Sequence, residues 1–208
     1  MEKSIKNKEL ILKKAFGLFL QKGYKSVSIK DIENATELSK GAIYHHFESK
    51  EKILFDALDK YYFNALFFDK SIFAGLTFRN QIEKLYWIGI DIYHKTEFID
   101  EENRITYPIK NVYNFQLECE NYDHARDKFK EAANGYRQVV VELVTEALIN
   151  QEIKKGLNPE LISYHIIGIL EGVAIHHSTI KNNVKEILAE KFKKIFESYL
   201  DLICINDK

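Results

Sequence analysis

The chain has 208 residues, 46% of them hydrophobic, with 30 Lys and Arg against 31 Asp and Glu for a net charge of −1. That length holds one large domain or a small one beside a larger one, and so apolar a composition excludes a disordered chain. Only 2 prolines and 9 glycines argue for long helices rather than a sheet rich in turns.

The near-zero charge divides unevenly. Residues 1–60 carry 12 Lys and Arg against 9 Asp and Glu, a net of +3, and residues 61–208 carry 18 against 22, a net of −4. A basic head on an acidic body places attraction for a polyanion at one end. Cys119 and Cys204 have no metal or redox spacing and suit a reducing cytosol as free thiols. The polar start, with Lys3, Lys6 and Lys8 before Leu10, does not read as a secretion signal. These lysines read as phosphate contacts or as a solvated tail. Leu161 to Ile180 approaches the length of a membrane span but contains His165, Glu171, His176 and His177, so it reads as a buried helix.

In chain order, the first helix is expected over 7–22, with Leu10, Ile11, Ala15, Leu18 and Phe19 on one side and Gly23 ending it. Three helix starts then follow in VSIKDIENATELSKGAIYHHFESKEK, residues 27–52. Ser28 caps the first, with Asp31 three residues on and Val27 stapled to Ile32. Ser39 caps the second, with Leu38 placed to meet Ile43, and Ser49 caps the third. Two short helices joined by a tight turn, the second too short to be stable alone, make a helix-turn-helix. Phe16, Phe19, Ile29, Ile32, Ile43 and Phe47 are expected to brace it. Gly41 and Ala42 leave the second helix flat near its start, and Lys40, Tyr44, His45 and His46 put donors around that flat spot. Such an end fits the DNA major groove while its donors hold phosphates. Lys50 at the next helix start makes an anion site.

The run Ser39-Lys40-Gly41-Ala42-Ile43-Tyr44-His45-His46-Phe47-Glu48-Ser49-Lys50-Glu51 resembles the recognition-helix signature of the TetR family of bacterial transcriptional regulators. The likeness covers residues 8–60, about a quarter of the chain. It implies an all-α fold, with residues 1–50 as a three-helix DNA-binding head and 51–208 as a ligand-binding and dimerisation body. It implies base or backbone contacts from Lys40, Gly41 and Ala42, and phosphate contacts from Ser28, Tyr44, His45, His46 and Lys50; Ser39 joins this set. Where the family has glycine in the turn, this chain has Glu37, and a left-handed backbone there costs about 1–2 kcal/mol.

From Lys50 a helix is expected to run through Leu58, Tyr62 and Leu66, linking head to body. Residues 69–77, with Gly75, read as a connection. Thr77 caps a helix over 78–95, 97–103 is an acidic loop, and Pro108 opens a helix or marks a bend. A long helix is expected over 124–155, ended by Lys154, Lys155 and Gly156. Asn158 caps the next, with Pro159 at its first position, running to Ser178. The last spans 184–202. No strand is expected.

The 161–175 helix is apolar on more than one side and needs partners all round. Ile162, Ile166, Ile169 and Val173, with Ile187 and Ile195 of the last helix, are the candidate interface of a two-fold dimer, as the family resemblance also implies; a closed monomeric core is the alternative. Tyr86, Trp87, Tyr93, Tyr113, Tyr136 and His165 are candidate walls of a small-molecule cavity, against the plain reading of core aromatics.

No catalytic constellation is expected. The pairs His45–His46 and His176–His177 are adjacent and share no helix face. His165 and His176 stand about 16 Å apart along a helix, too far for one metal. GxSxG, HExxH and glycine-rich phosphate loops are absent from the sequence. The expectation is a cytoplasmic homodimeric repressor without cofactor, released from a palindromic double-stranded operator by an unknown small-molecule effector. The alternative is a DNA-organising or protein-interaction factor without an effector.

Overall fold

The computed structural model describes residues 2–64, 67, 69–97 and 107–205. Among them are nine α-helices: α1 Glu2–Lys22, α2 Ile29–Thr36, α3 Lys40–His46, α4 Lys50–Leu58, α5 Phe78–Glu97, α6 Pro108–Cys119, α7 Asp123–Ile149, α8 Pro159–His176 and α9 Val184–Ile203. The all-α architecture, with a helix-turn-helix head on a helical body, is as the sequence implies.

The head is assembled by local caps and one apolar cluster. Ser28 Oγ accepts the Asp31 N–H at 3.2 Å while Asp31 Oδ2 accepts the Ser28 N–H at 2.8 Å, a closed capping box. Ser39 Oγ accepts from Ala42 N–H at 3.3 Å and Ser49 Oγ from Lys52 N–H at 3.0 Å. Glu37 ends α2 in the left-handed region at φ 57°, the strained turn the missing glycine foretells. Helix α3 is only seven residues long, so its packing must hold it. Ile43 anchors it, fully buried with Phe16 and Phe19 of α1, Ile32 of α2 and Ile53 of α4.

Three expectations are corrected. Helix α1 begins at Glu2 rather than Asn7, so Lys6 and Lys8 belong to a helix and not a tail. Lys8 Nζ lies 3.6 Å from the Asp56 carboxylate and 5.4 Å from the Phe47 ring centroid. The helix from Lys50 is regular only to Leu58 and passes into a widened turn over Asp59–Phe63. Its expected end at Leu66, and residues 98–103 of the acidic loop, lie outside the described residues.

The third correction has a long-range cause. Helix α7 stops at Ile149 instead of Lys155, and Gln151 turns left-handed at φ 60°. Ile153 instead forms a single β-bridge with Cys204, with Lys154 N–H donating to Ile203 O at 2.8 Å and Ile205 N–H to Glu152 O at 2.9 Å. The sequence signal at Gly156, where φ is 85°, belongs to the following turn. Asn158 Oδ1 then caps α8 by accepting from Glu160 N–H at 2.9 Å and Leu161 N–H at 3.3 Å, as expected.

Two apolar clusters share α6 and α7. Val112, Phe115 and Cys119 of α6, with Ala125 and Phe129 of α7, close the head cluster. Ile109 of α6, with Val140 and Leu143 of α7, joins the second cluster, built on α5, α8 and α9. Force applied to α6 or α7 therefore reaches both clusters. Both cysteines are buried free thiols, and burial pushes the Cys119 thiol up to about 12. No helix among the described residues is long and apolar enough to cross a membrane.

Candidate nucleic-acid interface and internal cavity

The outer face of α3 is open. Lys40, Gly41, Tyr44 and His45 are exposed, Ala42 and His46 half-buried, and only Ile43 points inward. Gly41 is helical, and a Cβ there would meet nothing within 4 Å, so the fold itself does not require glycine. Lys40 Nζ lies 5.8 Å from the Tyr44 ring centroid, and the His45 and His46 rings stand edge to face at 5.3 Å. The Lys40 backbone N–H is taken by Glu33 Oε1 at 2.7 Å, which ties α3 to α2. Ser28 and Ser39 sit at the helix starts with their hydroxyls on backbone N–H groups.

Lys50 is placed differently from its expected role. Its Nζ donates to Tyr24 O at 2.9 Å and Val27 O at 2.7 Å, 4.1 Å from the Tyr24 ring centroid. Desolvation holds its pKa below the ordinary lysine value. The ammonium is committed to the turn between α1 and α2 and is not presented as a phosphate ligand. Local sequence gave no hint of this, because the acceptors lie 23 and 26 residues away.

A cavity of ≈ 310 Å³ lies among α5, α6, α7 and α8. Tyr93, Tyr113 and Tyr136 line it, as expected. Three other expected wall residues stand elsewhere. Tyr86 is core, stacked on Phe192 and Phe196 at 5.8 and 5.9 Å. Trp87 packs half-buried beside Lys185. His165 is exposed, its Nδ1 3.2 Å from the Tyr199 hydroxyl. Aromatic type alone could not separate wall from core, because helix phase and neighbours decide which side of α5 or α8 turns inward.

The cavity also takes Tyr62, Gln116 and Glu171, which the sequence reading did not assign to it. Tyr62 Oη donates to Gln116 Oε1 at 3.2 Å, and Tyr93 Oη to Tyr113 Oη at 3.2 Å. Burial raises the Tyr93 and Tyr113 phenols and the Glu171 carboxyl above their ordinary values. The available signal for Glu171 was its place as the acid inside an otherwise apolar helix. A second, more open cleft of ≈ 540 Å³ lies between residues 70–77 and the end of α7, lined by Lys70, Gln81, Glu146 and Asn150 among others. No group of three His, Cys, Asp or Glu side chains among the described residues could hold a metal.

Helix α6 joins the cavity to the head. Val112, Tyr113 and Gln116 face the cavity. Glu118 Oε2 and Oε1, just beyond, accept the Tyr24 and Lys25 backbone N–H groups at 2.8 Å each.

The expected interface residues divide. Ile162 and Ile166 are 5% and 0% exposed; they fill the chain's own core and are not available to a partner. Ile169, Val173 and Ile187 are half-buried, and Ile195 is exposed. The outer stripe of α8 is instead Leu161, Tyr164, Gly168, Gly172 and Ile175, all exposed at helical spacing. A helix apolar all round does not disclose its outward side.

The fold and head together define an all-α helix-turn-helix protein. Residues 11–57 match the family model of bacterial regulatory proteins, tetR family. Over those residues the chain is similar to the TetR family. It is 48% identical over 171 residues to the uncharacterized HTH-type transcriptional regulator YuxN of Bacillus subtilis (strain 168), covering 82% of this chain and 53% of that protein. It is 25% identical over 197 residues to the transposon Tn10 TetC protein of Escherichia coli, covering 92% of this chain and 88% of TetC. The chain thus spans about half the length of YuxN, and 39% of YerO, a second HTH-type transcriptional regulator of the same Bacillus. Among solved structures, a transcriptional regulator from Saccharomonospora viridis, in complex with choline, matches with a TM-score of 0.73 at 17% identity, covering 97% of this chain and all 100% of that one. A TetR-family regulator from Cytophaga hutchinsonii matches with a TM-score of 0.67 at 21% identity, covering 100% and 99%.

Proposed function

We propose that the chain is a DNA-binding transcriptional repressor, released from its operator by a small molecule held in the body cavity. The observation that carries the reading is the course of α6, whose Tyr113 and Gln116 line the cavity and whose Glu118 holds the Tyr24–Lys25 turn of the head. A ligand that fits one cavity shape better than another shifts the balance between the corresponding head positions. The α6 route supplements the helix from Lys50 as the link between body and head. A cavity of ≈ 310 Å³ favours a sensor over a filled interaction module.

In this reading residues 1–50 form the reading head and 51–208 the body. Lys40, Gly41 and Ala42 approach base edges, while Tyr44, His45, His46, Ser28 and Ser39 meet phosphates. The outer stripe of α8, with Ile195 and Leu202 of α9, buries against a second copy. A two-fold pair of heads reads a palindrome with half-sites one DNA turn apart. The protein works in the cytoplasm without catalysis.

The test is selection of bound sequences from a random DNA pool, followed by a screen of metabolites for release of the enriched site. A palindromic winner and a releasing compound are expected. Failure to enrich any sequence at low salt would sink the DNA reading, and an enriched site that no compound releases would sink the effector half.

A further inference from the structure

We infer that the cavity among α5, α6, α7 and α8 takes an organic cation, an amine or quaternary ammonium on an apolar body, with Glu171 as its counter-charge. The inference rests on the effector reading of that cavity and names the class of molecule. Among the described residues that line it, Glu171 is the charged one, and none is Lys, Arg or His. The wall therefore repels anions and offers a neutral ligand an unneeded charge.

The aromatic part agrees. Tyr62, Tyr93, Tyr113 and Tyr136 all line the same space, and ring faces attract cations within about 6 Å. Their polar atoms leave little for an anion. The Tyr62 proton is used by Gln116 and the Tyr93 proton by Tyr113, so neither phenol offers its proton to an anion.

No lysine, arginine or histidine among the described residues forms an ion pair with Glu171, and no hydrogen bond to its carboxylate is formed among them. Glu171 is an exposed residue at the cavity wall, so a cation can reach it from solvent and settle against it. Burial already holds its carboxyl above the ordinary value. A bound cation would relieve that penalty, since an opposite charge nearby favours the ionised form.

The experiment is equilibrium dialysis of the full chain against benzyltrimethylammonium and against neopentylbenzene, its uncharged carbon isostere. The cation should bind at least about ten-fold more tightly. Glu171→Gln should remove about that factor for the cation and leave the neutral probe within about two-fold. Equal affinity for the two probes, or cation affinity unchanged in Glu171→Gln, overturns the inference but leaves a ligand-binding cavity standing. Binding of neither probe also overturns it, and the effector reading is then decided by the metabolite screen alone.

Discussion

The Glu118 carboxylate and the Tyr24 backbone N–H meet at 2.8 Å across 94 residues of sequence, and the other carboxylate oxygen takes the Lys25 N–H at the same distance. The turn so held follows Gly23, where φ is 80° and a Cβ would lie 2.8 Å from Glu118 Oε2. Glycine is required there twice over, by the backbone and by the carboxylate. From the other side Lys50 Nζ holds the Tyr24 and Val27 carbonyls of the same turn. The acid from α6 thus ties the head to the body, while Lys50 holds the same turn from within the head.

Replacing Glu118 by Ala removes a charged acceptor from two backbone donors. Urea unfolding should show a loss of about 2 kcal/mol. Release of operator DNA by the effector should weaken as well, because α6 no longer grips the head. Full release in a stably folded variant would assign the coupling to α4 alone.

Lys50→Ala leaves two carbonyls without their ammonium and should cost about 1–3 kcal/mol of stability. The dependence of DNA affinity on salt should keep its slope. A fall of about one in that slope would return Lys50 to the phosphates.

Gly41→Ala should act in opposite directions on two measurements. Thermal unfolding should show a gain of about 0.5–1 kcal/mol, since alanine is the better helix former and its Cβ meets nothing. Affinity for the selected operator should fall because the methyl group stands off the groove. Unchanged affinity would mean that this face of α3 looks away from DNA.

Leu161→Glu and Ile175→Glu place charges on exposed positions of α8 and should give monomers in sedimentation without loss of helix content. Ile166→Glu, at a fully buried position, should unfold the body instead. A dimer that survives both surface substitutions would move the interface elsewhere.

Asp31 accepts from Ser28 and its pKa is lowered to about 2, chiefly by the Ser28 side-chain hydrogen bond. A folded pKa below the unfolded value of about 3.9 gives stability that is fully present above the unfolded pKa. That stability is lost as pH falls through the folded pKa, so the window runs from about 4 down to about 2. Asp31→Asn should flatten the acid limb of a urea-midpoint profile in that window. An identical limb in both proteins would place acid sensitivity at other carboxylates.

The head was legible because its signals are local. Ser28 and Asp31, Ser39 and Ala42, and Ser49 and Lys52 are each three residues apart, within reach of one helical turn. The left-handed backbone at Glu37 was implied by the family resemblance, which has glycine in that turn. The body was legible only as helices. Lys154, Lys155 and Gly156 read as a helix end, yet Ile153 is claimed by Cys204 from the far end of the chain.

What the sequence determined by itself is the order of helices, their caps and the short exposed segment after Ser39, because a cap or a periodic face is satisfied within a few residues. Only the tertiary structure decided that Tyr93 faces a cavity while Tyr86 stacks in the core, that Lys50 holds carbonyls, and that Leu161 rather than Ile162 looks outward. Each of those outcomes depends on which distant side chains supply contacts and hydrogen bonds, and burial rewards one helix rotation over another only after the neighbouring helices are in place.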